Sequence, residues 1–297
     1  MDLMLDASRK RHLVEELRHR LEEGVDLPVL PEVAHELLLL RNRSEVESGT
    51  LVGIIAKDPV ISAQMLSYAR MSGFGYGERI KTLDDAISLV MGQDKAIHMA
   101  LGLSAGRSMP VELDGPLGLR AFWQNSLNCA LLTQALAKEL PSEYKANPGL
   151  SYLAGLFHDM GFLVFGSLYP DEFSTLNRLV SSYEWIETRE LEFHCIGISH
   201  DMIGSYLMRA WNMPEEIVLA VGEHHFPDFD GQHAIYPKLV YLADLLMRMR
   251  NQSLLLDEPW AKFEKIGLDE AAVQRATKHV EMILPELEHM AEELLQA

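Results

Sequence analysis

The sequence predicts an all-α fold, and three observations support this prediction. Apolar residues recur at helical spacing in almost every periodic segment; in the first of them, Leu13, Leu17 and Leu21 stand four residues apart. Proline and side-chain caps mark helix starts, as at Asp58-Pro59. The sequence contains no alternating run of apolar and polar residues that would indicate a strand or hairpin.

The predicted helices of the N-terminal half follow recognisable starts. Asp58 can cap a helix whose first position is Pro59, and Thr82 with Asp85 resembles a capping box. Four helices are expected near residues 8–23, 33–40, 59–69 and 83–91, the first of them ending at Gly24.

A glycine-rich break at residues 72–77 separates two of these helices. Its glycines, Gly73, Gly75 and Gly77, have a spacing that invites comparison with a phosphate-binding loop. However, no predicted strand precedes them, and the third glycine of a dinucleotide fingerprint is misplaced. We therefore expect a flexible connection between helices.

The C-terminal half is also predicted to be helical. Residues 110–118 are rich in proline and glycine and form the clearest internal boundary, after which a long helix extends from about 119 to 140. A second boundary at 141–149 precedes a helix that ends at His158-Asp159.

Further helices follow this segment. One is expected to be capped by residues 212–214 and to end at His224-His225. The acidic tail is amphipathic, and prolines at Pro259 and Pro285 are expected to break it.

The charge of the chain argues against a nucleic-acid partner. It contains 26 Lys and Arg against 44 Asp and Glu, a formal net charge of -18, which repels a phosphate backbone. The basic residues of the first helix alternate with glutamates, and this pattern favours a solvated or partner-facing helix over a nucleic-acid arm.

No feature of the sequence predicts membrane insertion or export. No apolar run approaches the roughly 20 residues that span a bilayer, and the first residues are acidic where a secretory signal is basic. The two cysteines, Cys129 and Cys195, are too few for a disulfide framework and are expected to be packing residues. We therefore expect a cytoplasmic protein.

His158 and Asp159 are the strongest candidates for chemistry. An imidazole beside a carboxylate offers two metal-binding groups, and His and Asp residues from other helices could complete a site for a divalent ion and a water. The downstream candidates are His200, His224, His225 and Asp244. Adjacent helical residues diverge by about 100°, so only one residue of the His224-His225 pair is expected to face the pocket. The other should be a cation at the helix C-terminus.

Several motifs, in this order along the chain, resemble those of the HDOD family, the HD-related output domains of bacterial signalling. The resemblance extends from about Leu27 to Leu246, and the order of the motifs makes it specific although each motif alone is weak. The matching segments are 27–31 (LPVLP), 55–59 (IAKDP), 80–87 (IKTLDDAI), 122–126 (FWQNS), 154–161 (AGLFHDMG), 200–204 (HDMIG), 211–217 (WNMPEEI) and 224–225 (HH).

The resemblance implies a multi-helix HDOD fold in which an N-terminal helical lobe packs on a C-terminal HD-like lobe. These two lobes are expected at residues 24–110 and 117–250. An amphipathic helix at residues 1–23 and a helical tail at residues 251–297 are expected to flank them.

The resemblance also implies a degenerate metal pocket. The related HD phosphohydrolases hold a metal through an early His, a His-Asp pair and a distant Asp, and Asn125 stands where the early His is expected. Because an amide oxygen is a poor donor to transition ions, a metal-free pocket is expected, in which Asn125 hydrogen-bonds His158 or Asp159. The expected pocket residues are Asn125, His158, Asp159, His200, His224 and Asp244.

If a divalent ion (Fe, Mn, Zn, Ni or Mg) is bound, the resemblance assigns it to His158, Asp159 and Asp244. His200 or His224 would then compensate in part for the missing histidine at position 125.

The function that the resemblance implies is non-catalytic: a signal-transduction output or scaffold module that binds a partner protein and is gated by a small-molecule or nucleotide ligand in the pocket. The alternative is a metal-dependent phosphohydrolase acting on a nucleotide or phosphoester. Cyclic-dinucleotide cleavage is not expected, because Phe226 and Ile235 replace the acid and the glycine of that signature. Arg70 replaces a family Asn and is a candidate contact for an anion or an acidic partner.

Overall fold

The structure is a computed structural model that describes residues 7–23, 30–41, 48–106, 109–144, 146–250 and 260–296. Within these ranges every regular element is helical, which confirms the predicted all-α fold. The predicted helix end at Gly24 and the predicted break at Pro259 lie outside the described residues.

The N-terminal half contains helices α1 to α6. Their bounds are α1 Ala7–Glu23, α2 Glu32–Arg41, α3 Ser48–Ile55, α4 Pro59–Arg70, α5 Leu83–Asp85 and α6 Gln93–Gly106. Asp58 caps α4 as predicted, because its side chain accepts hydrogen bonds from two first-turn amides at 2.9 and 3.1 Å. Thr82 and Asp85 form the predicted capping box, and the chain continues as a π-helix from Ala86 to Met91.

The C-terminal half contains helices α7 to α16. Their bounds are α7 Leu119–Glu139, α8 Pro148–Phe157, α9 Met160–Leu168, α10 Pro170–Ser182, α11 Thr188–Cys195, α12 His200–Ala210, α13 Glu215–Glu223, α14 Ile235–Arg250, α15 Trp260–Glu264 and α16 Glu270–Gln296. Two predicted boundaries are wrong. Helix α13 ends at Glu223, before both histidines, and Pro285 lies inside α16 rather than breaking it, whereas the cap of α13, Pro214, falls within the predicted residues 212–214.

Burial explains why Pro285 does not break α16. An interior proline costs a helix about 3 kcal/mol or more. The apolar face of α16, including Val280, Ile283 and Leu287, is buried, and the helix packs along α7 and contacts α4. Because each buried aliphatic side chain stabilises the fold by about 1.5 to 3 kcal/mol, the packed face outweighs the lost hydrogen bond.

Helix α7 is the centre of the C-terminal core, and α8 approaches it closely at Gly155. A Cβ atom at Gly155 would lie 2.6 Å from Thr133 Oγ1 and 2.7 Å from the carbonyl oxygen of Cys129. The Thr133 hydroxyl is also 2.8 Å from the carbonyl oxygen of Ser151. The sequence Gly155-Leu156-Phe157 therefore brings the end of α8, and His158 after it, against the central helix.

The glycine-rich break lies against α16 and forms two short 3-10 turns. The amide of Ser72 donates to the Glu286 carboxylate at 2.9 Å. A Cβ atom at Gly73 would lie 2.1 Å from Ile283 Cγ2. The contact with α16 therefore requires glycine at position 73, and the segment docks the last helix.

Packing joins the predicted parts of the chain. Helix α6 packs on α8, α1 packs on α12, and α16 contacts both α4 and α7. The lobe boundaries at 24–110 and 117–250 stay a prediction.

Cys129, Cys195, Trp123 and Trp211 are buried among apolar side chains. Of the described helices, none has the length and apolarity required to cross a lipid bilayer.

Lys95 on α6 is enclosed by aromatic rings. Its Nζ atom donates to the Tyr68 hydroxyl at 2.5 Å and lies 4.6 Å from the Tyr68 ring centre, 5.8 Å from that of Phe74 and 5.3 Å from that of Tyr152. Burial lowers the pKa of Lys95 to about 7, and the positive charge of Lys138 contributes to this shift. No carboxylate in the described part of the chain raises it again.

We expect Lys95→Met to change the pH dependence of stability. The unfolded chain keeps an ordinary lysine pKa near 10.4. Between about pH 7 and pH 10 the unfolded state therefore binds a proton that the folded state lacks. The free energy of unfolding of the unaltered chain should rise with pH in this window relative to the variant, by at most about 1.4 kcal/mol per pH unit.

Urea unfolding at pH 7 and pH 9 measures this difference. The exposed Lys278 of α16 offers a matched control, because it is not among the groups that shift the pKa of Lys95, so Lys278→Met should leave the pH dependence unchanged. Parallel curves for the unaltered chain and Lys95→Met would contradict the prediction.

Candidate functional site

A cleft of about 420 Å³ in the C-terminal half brings the predicted pocket residues together. It lies where the ends of α8 and α13 meet the start of α12, and the segment between α10 and α11 forms part of its rim. All six residues that the sequence predicts line this cleft: Asn125, His158, Asp159, His200, His224 and Asp244. Arg70 does not; it is exposed on α4, and its Nε donates to the carbonyl oxygen of Ile80 at 2.8 Å.

His158 and Asp159 occupy the break between α8 and α9. The Nδ1 atom of His158 faces the carbonyl oxygen of Gly155 at 2.8 Å, and its Nε2 atom lies 3.1 Å from Asp159 Oδ2. The predicted hydrogen bond from Asn125 to His158 or Asp159 is wrong. Asn125 lies on the exposed side of α7, and the side chain of Asp159 is already paired with two imidazoles.

His200 is held from three sides. Its Nδ1 atom lies 2.7 Å from Oε1 of the buried Glu192, and its ring stacks on Phe162 with centres 4.2 Å apart. Its Nε2 atom lies 3.3 Å from Asp159 Oδ1. Glu192 was not among the predicted pocket residues, because it is one of several acids on the amphipathic α11 and no motif distinguishes it from the neighbouring Glu190.

Both His224 and His225 face the cleft, so the prediction that only one would do so is wrong. Helix α13 ends at Glu223, and the two histidines belong to the turn that follows, where the 100° rule does not apply. His225 Nε2 lies 3.0 Å from His200 Nε2, and His224 Nε2 lies 3.4 Å from the same atom. His225 was not among the predicted pocket residues.

Burial and the mutual approach of these groups shift their pKa values. Burial lowers the pKa of His225 to about 3, with His200 contributing, and burial with His225 lowers that of His224 well below its usual value. The predicted C-terminal cation among these two residues is therefore wrong. Burial opposes the ionisation of Asp159, but the charges of His158 and His200 outweigh it and lower the pKa of this carboxyl.

His158 and His200 shift in the opposite direction. Burial opposes their protonation, but Asp159 outweighs it at His158 and Glu192 outweighs it at His200, so both pKa values are raised. Burial raises the pKa of Asp244, partly offset by His158. The cleft thus separates a charged side, around Asp159, from a neutral side formed by His224 and His225.

The rim of the cleft carries exposed aromatic residues. Trp185 is 78% exposed and lies edge-to-face with Tyr183, with ring centres 5.5 Å apart. The guanidinium carbon of Arg189 lies 4.8 Å from the ring centre of Phe193 and 4.7 Å from that of Phe226, while its Nε atom donates to Asp201 at 3.2 Å. These side chains connect α11 with the turn that holds His225.

Two groups of residues in the cleft have metal-binding atoms. The predicted group is His158, Asp159 and Asp244, in which His158 Nε2 points at the Asp159 carboxylate and Asp244 lies 4.0 Å from Arg248. The second group is His200, His224 and His225, whose ligand atoms all lie within 4.8 Å of one another.

Comparisons with known proteins identify the fold and the family. The HDOD domain model matches residues 27–227. A protein provisionally described as a signal transduction protein, from Marinobacter aquaeolei VT8, is 29% identical with a TM-score of 0.81; the match covers 99% of this chain and 67% of that one. A protein provisionally described as a phosphohydrolase, from Shewanella amazonensis SB2B, is 21% identical with a TM-score of 0.70. This match covers 94% of this chain and 97% of the Shewanella protein, and at this identity it shows a shared fold alone.

A curated relative extends beyond this chain. An uncharacterized protein of Treponema pallidum (strain Nichols) is 24% identical over 200 residues, which is 67% of this chain. The match covers 38% of that protein, so the chain corresponds to well under half of its length.

We expect Gly161→Ala to disturb the site by separating α9 from α12. A Cβ atom at position 161 would lie 1.9 Å from the carbonyl oxygen of His200, which is backbone and cannot rotate away. The variant should lose about 1 to 3 kcal/mol of stability, as overpacked contacts do. Urea unfolding followed by circular dichroism measures the loss.

Gly53→Ala is the matched control. Gly53 is an exposed glycine of α3, and a Cβ atom there meets nothing within 4 Å. This change should leave stability equal or raise it by up to about 1 kcal/mol. A loss at position 161 no larger than the change at position 53 would contradict the predicted clash.

Proposed function

The chain belongs to the HDOD family, and from that premise we propose that it is a signal-transduction output module that binds a partner protein without catalysing a reaction. A small ligand in the histidine cleft controls this contact. The resemblance to the Marinobacter protein, provisionally described as a signal transduction protein, supports the signalling context.

One observation carries this proposal: Trp185 lines the histidine cleft and is also 78% exposed. Exposed aromatic clusters mark contact surfaces, and tryptophan is enriched among the residues that dominate binding energy. Because the same side chain borders both the cleft and the outer surface, a ligand in the cleft alters the surface that a partner meets.

The chemistry at position 125 supports a binding role over a catalytic one. An amide oxygen is a weak ligand for transition ions, and Asn125 stands where the related hydrolases supply an imidazole. The neighbouring carboxylate, Asp159, is already engaged by His158 and His200 at 3.1 and 3.3 Å. A metal bound by His158, Asp159 and Asp244 would therefore have to replace existing contacts and would lack one ligand.

The second candidate function is metal-dependent phosphoester hydrolysis. It is favoured by the presence of His158, Asp159 and Asp244 in one cleft, the three positions that the related hydrolases use. A bound divalent ion would supply an activated water for attack on phosphorus. The residues of this chain would orient the phosphoester and hold the ion.

A first prediction tests the partner surface by photo-crosslinking in the host cell. A photoreactive amino acid at position 185 should yield one dominant protein adduct, because this position borders the cleft. The same residue at position 282, on the exposed Met282 of α16, should not yield that adduct. Introducing His200→Ala should change the yield at position 185 at least severalfold, because it alters the cleft.

Equal adducts at the two positions, or none at position 185, would contradict the partner surface. A yield at position 185 that does not respond to His200→Ala would contradict control by the cleft. Circular dichroism of His200→Ala confirms that the variant is folded before the comparison is made.

A second prediction separates the two candidate functions. Purified protein with Mn²⁺, Fe²⁺ or Zn²⁺ should hydrolyse p-nitrophenyl phosphate and bis-p-nitrophenyl phosphate no faster than Asp159→Asn does. Asn125→His should raise the rate if the remaining geometry is intact. A rate in the unaltered chain about tenfold or more above that of Asp159→Asn, a barrier difference of roughly 1.4 kcal/mol, would favour the hydrolase.

A further inference from the structure

Lys95 of α6 lies at a junction with three other helices, and it does not line the histidine cleft. Its Nζ atom faces Tyr68 of α4 and Tyr152 of α8, whose ring centres are 4.6 and 5.3 Å away. Phe74 forms a third wall at 5.8 Å and lies edge-to-face with His279 of α16, with ring centres 5.6 Å apart. Part of the Lys95 surface remains exposed, so a small neutral molecule can reach this junction from solvent.

A large fraction of the Lys95 amine is neutral near pH 7. Burial lowers the pKa of Lys95 to about 7, and the positive charge of Lys138 on α7 contributes. About half of the amine therefore has a free lone pair at this pH, a fraction roughly a thousandfold larger than that of an ordinary lysine, whose pKa is about 10.4. A lysine that burial and a neighbouring cation keep unprotonated is an activated nucleophile.

The groups around this amine favour a negative charge. Burial, Lys95 and Lys138 lower the pKa of His279, so the imidazole lies within the electrostatic reach of both lysines. Among the described residues, no carboxylate contributes to the pKa of Lys95 or of His279. In a chain with a formal net charge of -18, this junction therefore has an excess of positive neighbours. An anion formed at Lys95 would be stabilised by them.

The Tyr152 hydroxyl is a hydrogen-bond donor beside the amine. Tyr152 is fully buried, and its hydroxyl has no hydrogen-bond partner among the described residues. A buried hydroxyl left in this state is uncommon and requires an explanation. Burial and the neighbouring Tyr152 raise the pKa of Tyr68, so the two phenols lie close together, and the Tyr68 hydroxyl is 2.5 Å from Lys95 Nζ.

We propose that Lys95 binds carbon dioxide as a carbamate, which the Tyr152 hydroxyl and the charges of Lys138 and His279 stabilise. The Nζ lone pair forms a bond to the carbon of CO₂, one C=O electron pair moves onto oxygen, and one proton of the nitrogen leaves to water. The reaction requires no oxidant, reductant or further reagent. This site is separate from the histidine cleft and does not depend on the proposed function.

The charge of the surroundings favours CO₂ over other reagents that attack a neutral lysine. Acylation leaves a neutral amide, and condensation with an aldehyde leaves an imine that is neutral or positive. Neither product would be stabilised by Lys138 and His279, whereas a carbamate is negative and would be. CO₂ is also small and apolar, so its entry among aromatic rings does not require the removal of a tightly held hydration shell.

The test is chemical trapping of the carbamate on the full chain. Protein equilibrated near pH 7 with ¹³C-labelled CO₂ and bicarbonate is treated with triethyloxonium ion, which converts a carbamate into a stable ethyl ester. Mass spectrometry should locate a labelled ethoxycarbonyl group at Lys95 and none at the exposed Lys278 of α16. The α-amino group of the chain, whose pKa is ordinarily about 8, also reacts with CO₂ and is an internal positive control.

Three variants test how the carbamate is held. Tyr152→Phe should lower the ratio of carbamate to free amine at Lys95 about tenfold, the usual strength of a hydrogen bond to a charged group. Lys138→Met should lower it as well, because it removes a stabilising charge and lets the pKa of Lys95 rise. Lys278→Met is the matched control and should leave the ratio unchanged. Circular dichroism of each variant verifies the fold.

The imidazole of His279 provides a second readout. The positive charges of Lys95 and Lys138 add to burial in lowering the pKa of His279. A carbamate replaces the first of these charges with a negative one, so CO₂ should raise the pKa of His279 in an NMR titration of the full chain. The Lys95→Met variant should lose this response to CO₂. A response that persists in Lys95→Met would overturn the assignment to Lys95.

A labelled α-amino group together with an unlabelled Lys95 would overturn the proposal. Equal labelling of Lys95 and Lys278, or a labelled fraction that responds to neither Tyr152→Phe nor Lys138→Met, would also overturn it. Acetylation of Lys95 by acetyl phosphate without any carbamate would replace CO₂ with an acyl donor. The photo-crosslinking at position 185 tests the proposed function separately, so the two failures are distinguishable.

Discussion

A carboxylate held among imidazoles is the constraint on which the pocket depends. Asp159 lies at the break between α8 and α9, and both of its oxygens are paired, one with His158 at 3.1 Å and the other with His200 at 3.3 Å. A charge removed from water in this way is tolerated only when partners surround it. Its pKa is lowered because the imidazoles outweigh the opposing effect of burial.

The need of the Asp159 carboxylate for two imidazole partners constrains how the surrounding helices pack. His200 must start α12 close to α9, and this approach is possible because Gly161 has no side chain to meet the His200 carbonyl. Glu192 then holds the other face of the His200 ring from α11. The ionised Asp159 thus accounts, through His200, both for the glycine at position 161 on α9 and for the buried Glu192 on α11.

The sequence was sufficient for the fold class and for the gathering of the pocket. Helix starts at Asp58 and Thr82 have local causes, so side-chain caps and proline predict them well. The motif around His158 and Asp159 likewise placed both residues in the cleft. The helix starts are predictable because their determining contacts lie within a few residues along the chain, whereas the pocket, whose residues lie far apart in the sequence, was predicted from the family resemblance.

The predictions that were wrong concern features that depend on contacts between residues far apart in the sequence. Pro285 looks like a helix break until the buried face of α16 is known, because only tertiary packing compensates for it. His225 was set aside on helical geometry, but α13 ends one residue before His224. Glu192 had no predicted role, and Asn125 does not form its predicted hydrogen bond, because the contacts of both residues depend on how separate helices meet.

The position of His225 beyond the end of α13 has a consequence for how such a pocket can diverge. A residue on a packed helix cannot change its direction without moving its neighbours, whereas a residue in a turn can be redirected by a change in loop length or by one substitution. Substitutions in this turn can therefore change which side chains line the cleft while the packing of the core is kept. During evolution, a sequence change in this turn can add or remove a cleft-lining histidine while the arrangement of the helices is conserved.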